Sequence, residues 1–268
     1  MIDNHITSLG YDVTVTTDLE KARPLIEAVD LTVVEDGVKG WPESSYLVAT
    51  TGAGGSAATV GWSVRDEMAV LHSLVVAPAM RGSGLGAGVL AAAVAHVMDT
   101  SPVNKIGLAT ESHGAKRLFR SLGFSSCEPG DLPAEMLDHP SVERLGDSKM
   151  TMVRDYTTPK RGLDQSAFCL ILNDTPQATL PLGSVFFFSQ TGQVLEARYR
   201  GGTVVRGHLL GCIQGQELNF VWHQYLTTDK FQTGDGHIEL DVLPDGRREL
   251  RELLGGDEQD QSLLLREI

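Results

Sequence analysis

The chain has 268 residues, 41% of them hydrophobic and 21% charged, the balance of a packed protein of one large or two ordinary domains. A net charge of −13 at pH 7 argues against nucleic acid or an anionic membrane as a main partner, because both demand a basic surface. Cys127, Cys169 and Cys212 stand too far apart for a disulfide framework or a metal-ligand spacing, the start "MIDNHITSLG" has no leader pattern, and no run of about 18 apolar residues occurs. The expectation is a soluble, cytoplasmic protein with no metal site.

In chain order, "YDVTVTT" alternates as a strand, and Asp18 is placed to cap a helix carrying Leu19, Ala22, Leu25, Ile26 and Val29 on one face. Pro24 predicts that this helix kinks or starts late. "SSYLVATT" and "AATVGWSV" flank "GAGG" and read as an antiparallel hairpin. "AVLHSLVV" is apolar on both faces, hence a central strand of a covered sheet. After it comes "APAMRGSGLGAG", then a helix with Leu85, Val89, Ala93 and Val97 at i, i+4 spacing. "NKIGLAT" reads as a strand, and a second helix with Ala115, Leu118, Phe119 and Leu122 on one face is closed by Gly123.

Beyond about residue 166 the grammar changes to short alternating runs joined by "TG", "GG" and "DG" turns, which predict an up-and-down barrel or curled meander of seven or so strands. Three regions follow from this reading: a first domain over 1–156, a linker over 157–166 centred on "YTTPKRGLDQS", and an all-β domain over 167–268.

The glycine stretch admits two phosphate-binding readings. "GSGLGA" formally fits the dinucleotide fingerprint G-x-G-x-x-G/A, but it follows several hairpin-linked strands instead of opening a parallel βαβ unit. Taken with the preceding arginine, "RGSGLG" is R-x-x-G-x-G between a central strand and an amphipathic helix. This resembles motif A of the GNAT superfamily of acetyl-CoA-dependent N-acetyltransferases. The later "SHGAKRLFRSLGF" resembles that family's second signature, and together the two cover roughly residues 10 to 156.

The resemblance implies an α+β fold with a mixed, mainly antiparallel sheet flanked by helices, and acetyl-CoA as co-substrate. The backbone of Leu74, Val75 and Val76 would hold the pantetheine arm. Arg81, Gly82, Ser83, Gly84, Leu85 and Gly86 would hold the pyrophosphate at a helix N-terminus, where unsatisfied N–H groups and the dipole favour anions. Ser112 replaces a frequent cofactor-contacting asparagine.

Two positions depart from the pattern: Val70 stands where many members carry a glutamate base, and Phe119 where many carry a tyrosine acid. His72 and Glu67 are the candidate catalytic groups in their place, with Asp66 beside them. His72 reads equally as a hydrogen-bonded core histidine.

The implied activity is direct acetyl transfer to a small amine, with an amino acid, glutamate included, the leading acceptor class. A non-catalytic acetyl-CoA or metabolite sensor and a protein or peptide acetyltransferase are the alternatives. The second half, through "YRGGTVVRGHLLG", "WHQ" and "FQTGDGHIELDVLPDGRREL", resembles short bacterial proteins often labelled N-acetylglutamate synthase and is expected to form a calycin-like barrel. Arg206, His208, Trp222, His223, Tyr225 and His237 are candidates to line its lumen. Substrate or effector binding and a homo-oligomer contact are the roles open to it.

Overall fold

The computed structural model describes residues 6, 10–29, 31, 40–128, 131–144, 149–157, 162–174, 179–253 and 261–268. The chain divides into two compact units, Gly10–Thr157 and Thr158–Ile268, the second taking in Met1–Leu9 as well. Part of the expected linker, residues 158–161, lies outside the described residues. Among the described residues no helix is long and apolar enough to cross a membrane.

The first unit is a seven-stranded sheet in the order β1-β2-β3-β4-β5-β7-β6. Its strands are β1 (Tyr11–Thr16), β2 (Ser45–Thr51), β3 (Ser56–Arg65), β4 (Met68–Val76), β5 (Lys105–Thr110), β6 (Ser125–Cys127) and β7 (Met150–Asp155). Every pairing is antiparallel except β4 with β5. A parallel pair needs a crossover, here the 16-residue helix Leu85–Thr100, labelled α2. Its alanines 91, 92, 93 and 95 are all buried, and such small side chains let a helix lie close to a sheet.

Asp18 caps a 3-10 turn, Leu19–Lys21, by accepting from the Glu20 N–H, and the chain re-forms as α1 (Arg23–Glu27) with Pro24 in its first turn, where the missing N–H costs nothing. Helix α3 (His113–Ser121) is capped by Ser112, whose hydroxyl accepts from Ala115 N–H. It ends at Gly123 with φ +87°. Two short helices, α4 (Ala134–Leu137) and α5 (Pro140–Glu143), lie between β6 and β7.

The second unit is a closed eight-stranded barrel, β10-β11-β12-β13-β14-β15-β8-β9, antiparallel throughout. Its strands are β8 (Ser166–Asn173), β9 (Val185–Thr191), β10 (Val194–Gly201), β11 (Val204–Gln214), β12 (Glu217–Leu226), β13 (Phe231–Val242), β14 (Arg248–Leu253) and β15 (Gln261–Glu267). Closure removes the sheet edges that would otherwise invite aggregation. Phe168, Leu170, Phe186, Phe188, Leu195, Leu209, Leu218 and Leu250 share one core inside it.

Glycines set opposite aromatic rings on neighbouring strands tighten that core: a Cβ on Gly234 would meet the Trp222 ring at 2.7 Å, and one on Gly207 would run into the Tyr199 ring. Near one end Arg248 pairs with Glu267 (Nη2–Oε1 2.6 Å), both side chains buried.

Candidate functional site

The parallel pairing of β4 and β5 runs from Met68↔Lys105 to Leu71↔Leu108 and stops there. Beyond it β5 continues against β7 to Thr110, while β4 stays with β3. Between the pairs His72↔Gly61 and Val75↔Thr59 the two strands fall out of step, a bulge in which Ser73 takes a φ of +52°. A non-glycine residue in that region costs of order 1 kcal/mol and persists only where its surroundings hold it. The two strands therefore part at mid-sheet. Between them opens a cleft of about 390 Å³, with Leu74 on one wall, Leu108, Thr110 and Ser112 on the other, and Leu90 and Phe119 further lining it. On its cleft side the backbone of β4 after Leu71 has no strand beside it among the described residues.

The same edge leads directly to a helix start. After the 3-10 turn Pro78–Met80, Arg81 donates from Nε to the Val76 carbonyl (3.3 Å), tying the turn to the end of β4. Gly82 (φ +80°) and Gly84 (φ +89°) are left-handed, and Gly84 is the N-cap of α2 without any side chain of its own to cap it. A Cβ on Gly82 would meet nothing within 4 Å, so an open cradle lies before the helix.

Gly86 is constrained differently: its Cβ would sit 3.1 Å from Val76 Cγ2, so its smallness serves packing against the strand. Ser83 donates to Met80 O (2.7 Å) and accepts from Leu85 N–H (3.3 Å). The Leu85 amide is thus engaged within the turn and its side chain is buried. Arg81, Gly82, Ser83, Gly84 and Gly86 stay together around the cradle. Of the three strand residues, Val75 turns its side chain into the core with Leu25, Ile26 and Tyr46, and Leu74 lines the cleft.

His72 is 6% exposed and lines the cleft. Its ring meets Tyr46 edge-on (centroids 5.7 Å, 82°) and stacks on His139 (5.6 Å, 30°). Its Nδ1 is 3.1 Å from Ser73 Oγ, and among the described residues its Nε2 has no partner. Burial first, then the nearby His139 and Arg144, lowers its pKa to about 3, so the imidazole is neutral at physiological pH.

Glu67 does not join it. It is exposed at the far end of β4, in the turn after β3, where its carboxylate receives Asn104 Nδ2 and its carbonyl receives Asn104 N–H (2.9 Å). Four strand residues, Met68 to Leu71, separate it from His72, so the structure does not bring the two expected catalytic groups together, and Glu67 instead ties the β3–β4 turn to Asn104. Asp66 is also exposed in that turn. Val70 is fully buried beside Trp41 and Met136. Ser112 and Phe119 both line the cleft, and the Ser112 hydroxyl is already used as the cap of α3.

His139, Ser141 and Arg144 complete the His72 end, and sequence reading passed over them. His139 is fully buried as the N-cap of α5, its Nδ1 accepting from Ser141 N–H (3.2 Å) with the Ser141 hydroxyl 2.7 Å away. The available signal was His139-Pro140, since proline favours the first helical position. Behind it, Arg65 holds Asp138 through two contacts (3.1 and 2.8 Å) and lies over the Trp41 ring (4.3 Å), while Trp41 donates to Asp138 (3.0 Å).

In the barrel, only Trp222 of the six lumen candidates points inward. Arg206, His223 and His237 are exposed, and His208 and Tyr225 occupy the same outward parity, with His208 beside His223 (5.3 Å) and Tyr225 bonded to Asp229 (2.5 Å). The period of two decides this: the inward positions are Gly207, Leu209 and Ile213 on β11 and Leu218, Phe220, Trp222 and Gln224 on β12.

Residues 17–124 match the family model described as "Acetyltransferase (GNAT) family", and residues 161–268 the one described as "Avidin-like protein". No curated protein matches. Similar solved structures include an acetyltransferase of the GNAT family from Staphylococcus aureus Mu50 (15% identity, 53% of this chain and 98% of that one, TM-score 0.41). An acyl-CoA N-acyltransferase from Pseudomonas aeruginosa is another (18%, 54% and 99%, TM-score 0.40). N-acetylglutamate synthase from Neisseria gonorrhoeae, complexed with coenzyme A and L-arginine, is a third (13%, 53% and 33%, TM-score 0.40). The parted strands and the glycine cradle thus lie in the stretch that matches the GNAT acetyltransferase family, whose members use acetyl-CoA, and the barrel is the stretch that matches an avidin-like protein.

Proposed function

We propose that the GNAT domain transfers the acetyl group of acetyl-CoA directly to the amine of a small acceptor, an amino acid in the first place. The observation that carries this reading is the run of β4 backbone after Leu71, free of β5 and ending at the Gly84-capped start of α2. The residues fit the donor: Gly82 leaves open space before the helix, and the first-turn amides of α2 have no intrahelical acceptors. Arg81, Gly82, Ser83, Gly84 and Gly86 would hold the pyrophosphate, and the backbone of Leu74–Val76 the pantetheine arm. When bound, acetyl-CoA supplies an activated acyl group on a leaving thiol.

This chain's residues then have three tasks. A main-chain N–H at the Ser73 bulge is placed to stabilise negative charge developing on the carbonyl oxygen. His72 presents a neutral ring that can hydrogen-bond the acceptor, but a group with a pKa of about 3 does not hold a proton at neutral pH. The acceptor amine therefore enters uncharged, and its departing proton goes to water. Phe119 has no proton to give, so the sulfur leaves as thiolate, which a thiol pKa of about 8.5 permits.

Arg144 brings a positive charge to the His72 end, which supports an α-amino acid, with its carboxylate, over a simple alkylamine. The net charge of −13 and cysteines 127, 169 and 212, which stay as thiols, support a cytoplasmic, small-molecule setting.

The test is thiol release from acetyl-CoA by the full-length chain with a pool of amino acids and small amines, glutamate included, against a no-acceptor blank. Release above the blank is expected, and dividing the pool names the acceptor. No release from protein that still binds acetyl-CoA would contradict transfer to a small amine and favour a metabolite-binding role or a macromolecular acceptor.

A further inference from the structure

His72 and His139 are 67 positions apart in sequence, yet their rings stack at 5.6 Å and 30° beside the cleft. The two rings are not equivalent. The Nδ1 of His139 accepts from a backbone N–H, that of Ser141, which can only donate, so Nδ1 carries no proton. Its neutral ring therefore has its proton on Nε2, aimed at Ser63 Oγ (3.3 Å), which in turn meets Ser44 Oγ (3.0 Å). Trp41 closes the ring from the side (4.6 Å, 85°). Every polar atom of His139 is committed, and the ring cannot turn without breaking the cap of α5.

His72 has the opposite character. Its Nδ1 meets Ser73, and its Nε2 is buried without a partner among the described residues while the ring lines the cleft. Below it Gly61 leaves no room, since a Cβ there would meet the His72 ring and the Tyr46 ring. His139 covers one face of that ring and, with Tyr46 edge-on, holds His72 to 6% exposure.

We propose that His139 is a positioning residue for the acceptor end of the cleft: its cap-locked ring shields one face of His72 from solvent and fixes the orientation in which His72 meets the acceptor. This rests on the acetyl-transfer reading for what the acceptor is, but the shielding itself is a property of the protein alone. The groups facing His72 are Tyr46 from β2, His139 and Arg144 from the α5 segment, and Glu111 across the cleft. Asp138 and Arg65 stand behind His139. With that face covered, neither ring charges near neutrality: burial holds His72 at about 3 and His139 at about 4. The consequence is a specificity device, because an acceptor end kept free of histidine charge takes its amine in the uncharged form.

The variant H139N separates this from plain support. Asparagine keeps an acceptor where Nδ1 stands and is among the best N-caps, but lacks the part of the ring that covers His72. The full-length chain with 13C-labelled histidine would be titrated from pH 5 to 8 by NMR, following the His72 Cε1–H signal assigned with H72N. Expected is a flat signal in the unaltered protein and a titrating one in H139N, with a midpoint above 5, at a melting temperature close to the parent's. A signal equally flat in folded H139N would overturn the proposal.

Should H139N not fold, H139S keeps a capping oxygen and removes the whole ring. It is expected to move the His72 midpoint upward, and no movement would overturn the proposal too. With an acceptor in hand, H139N is expected to add an acid limb near pH 6 to kcat/KM while the KM for acetyl-CoA holds. This NMR readout needs neither acetyl-CoA nor acceptor, so failure of the acetyl-transfer reading would show as absent thiol release with the titration unchanged.

Discussion

Gly84 sits at φ +89° as the cap of α2, and replacing it separates the two demands made on that position. Gly84→Ala adds a Cβ in a left-handed conformation, which costs about 1–2 kcal/mol. For a protein of this size, each kcal/mol lowers the melting temperature by about 2–4 °C. Gly84→Asp adds a negative charge as well, at the mouth of the cradle. A unit charge roughly 5 Å from a phosphate charge costs about 1–3 kcal/mol at an effective dielectric between about 80 and 20. Since 1.4 kcal/mol is tenfold in affinity, and pyrophosphate carries more than one charge, acetyl-CoA should bind Gly84→Asp at least about tenfold more weakly than Gly84→Ala. Isothermal titration with acetyl-CoA reads the affinity and a thermal melt reads the shared strain. Equal affinities in the two variants, with both melting below the parent, would refute the assignment of the cradle as the phosphate site.

Three further outcomes are expected. Gly61→Ala pushes a methyl against the His72 and Tyr46 rings, an overpacking worth about 1–3 kcal/mol. It should displace His72 into the cleft, lowering turnover more than acetyl-CoA affinity, and unchanged turnover would remove His72 from the acceptor end. Phe119→Tyr places a hydroxyl in the cleft and should raise turnover severalfold below pH 8, where a thiolate leaves least readily; a pH–rate profile of unchanged height would show that thiol departure is not limiting.

Because His72 and His139 are held below their unfolded value of 6.5, the unfolded state binds more protons and stability falls as pH drops. The loss begins near pH 6.5 and continues to about 4 for His139 and about 3 for His72, with about 2 kcal/mol per histidine at pH 5. Urea midpoints measured at pH 7.5 and 5 check this, and equal midpoints would contradict burial of two neutral rings.

Much of the first unit was legible because its elements obey local rules. Asp18, Pro24 and Gly123 mark helix ends, and "AVLHSLVV" declares a strand covered on both faces. The glycine stretch was legible because "RGSGLG" joins two left-handed turns to a helix start. What stayed hidden depends on tertiary register. Nothing in "LHSLVV" announces that Ser73 is left-handed or that β4 parts from β5 after Leu71. His139 lies in a loop whose approach to His72 no local pattern encodes.

In the barrel the alternation was clear, but its parity was not. His208 and His223 look like lumen residues until Gly207 and Leu209 are seen to face inward, because a glycine in an alternating run does not announce that it lies inside opposite a ring, as Gly207 does opposite Tyr199 and Gly234 opposite Trp222.

The central claim is that the exposed edge of β4 and the start of α2 together receive acetyl-CoA. Amide hydrogen exchange of the full-length chain with and without acetyl-CoA tests it most directly. The account predicts slower exchange in peptides spanning Ser73–Val76 and Arg81–Ala87, with strands β8–β15 unchanged. Protection confined to the barrel, or none under conditions where acetyl-CoA binds, would contradict it.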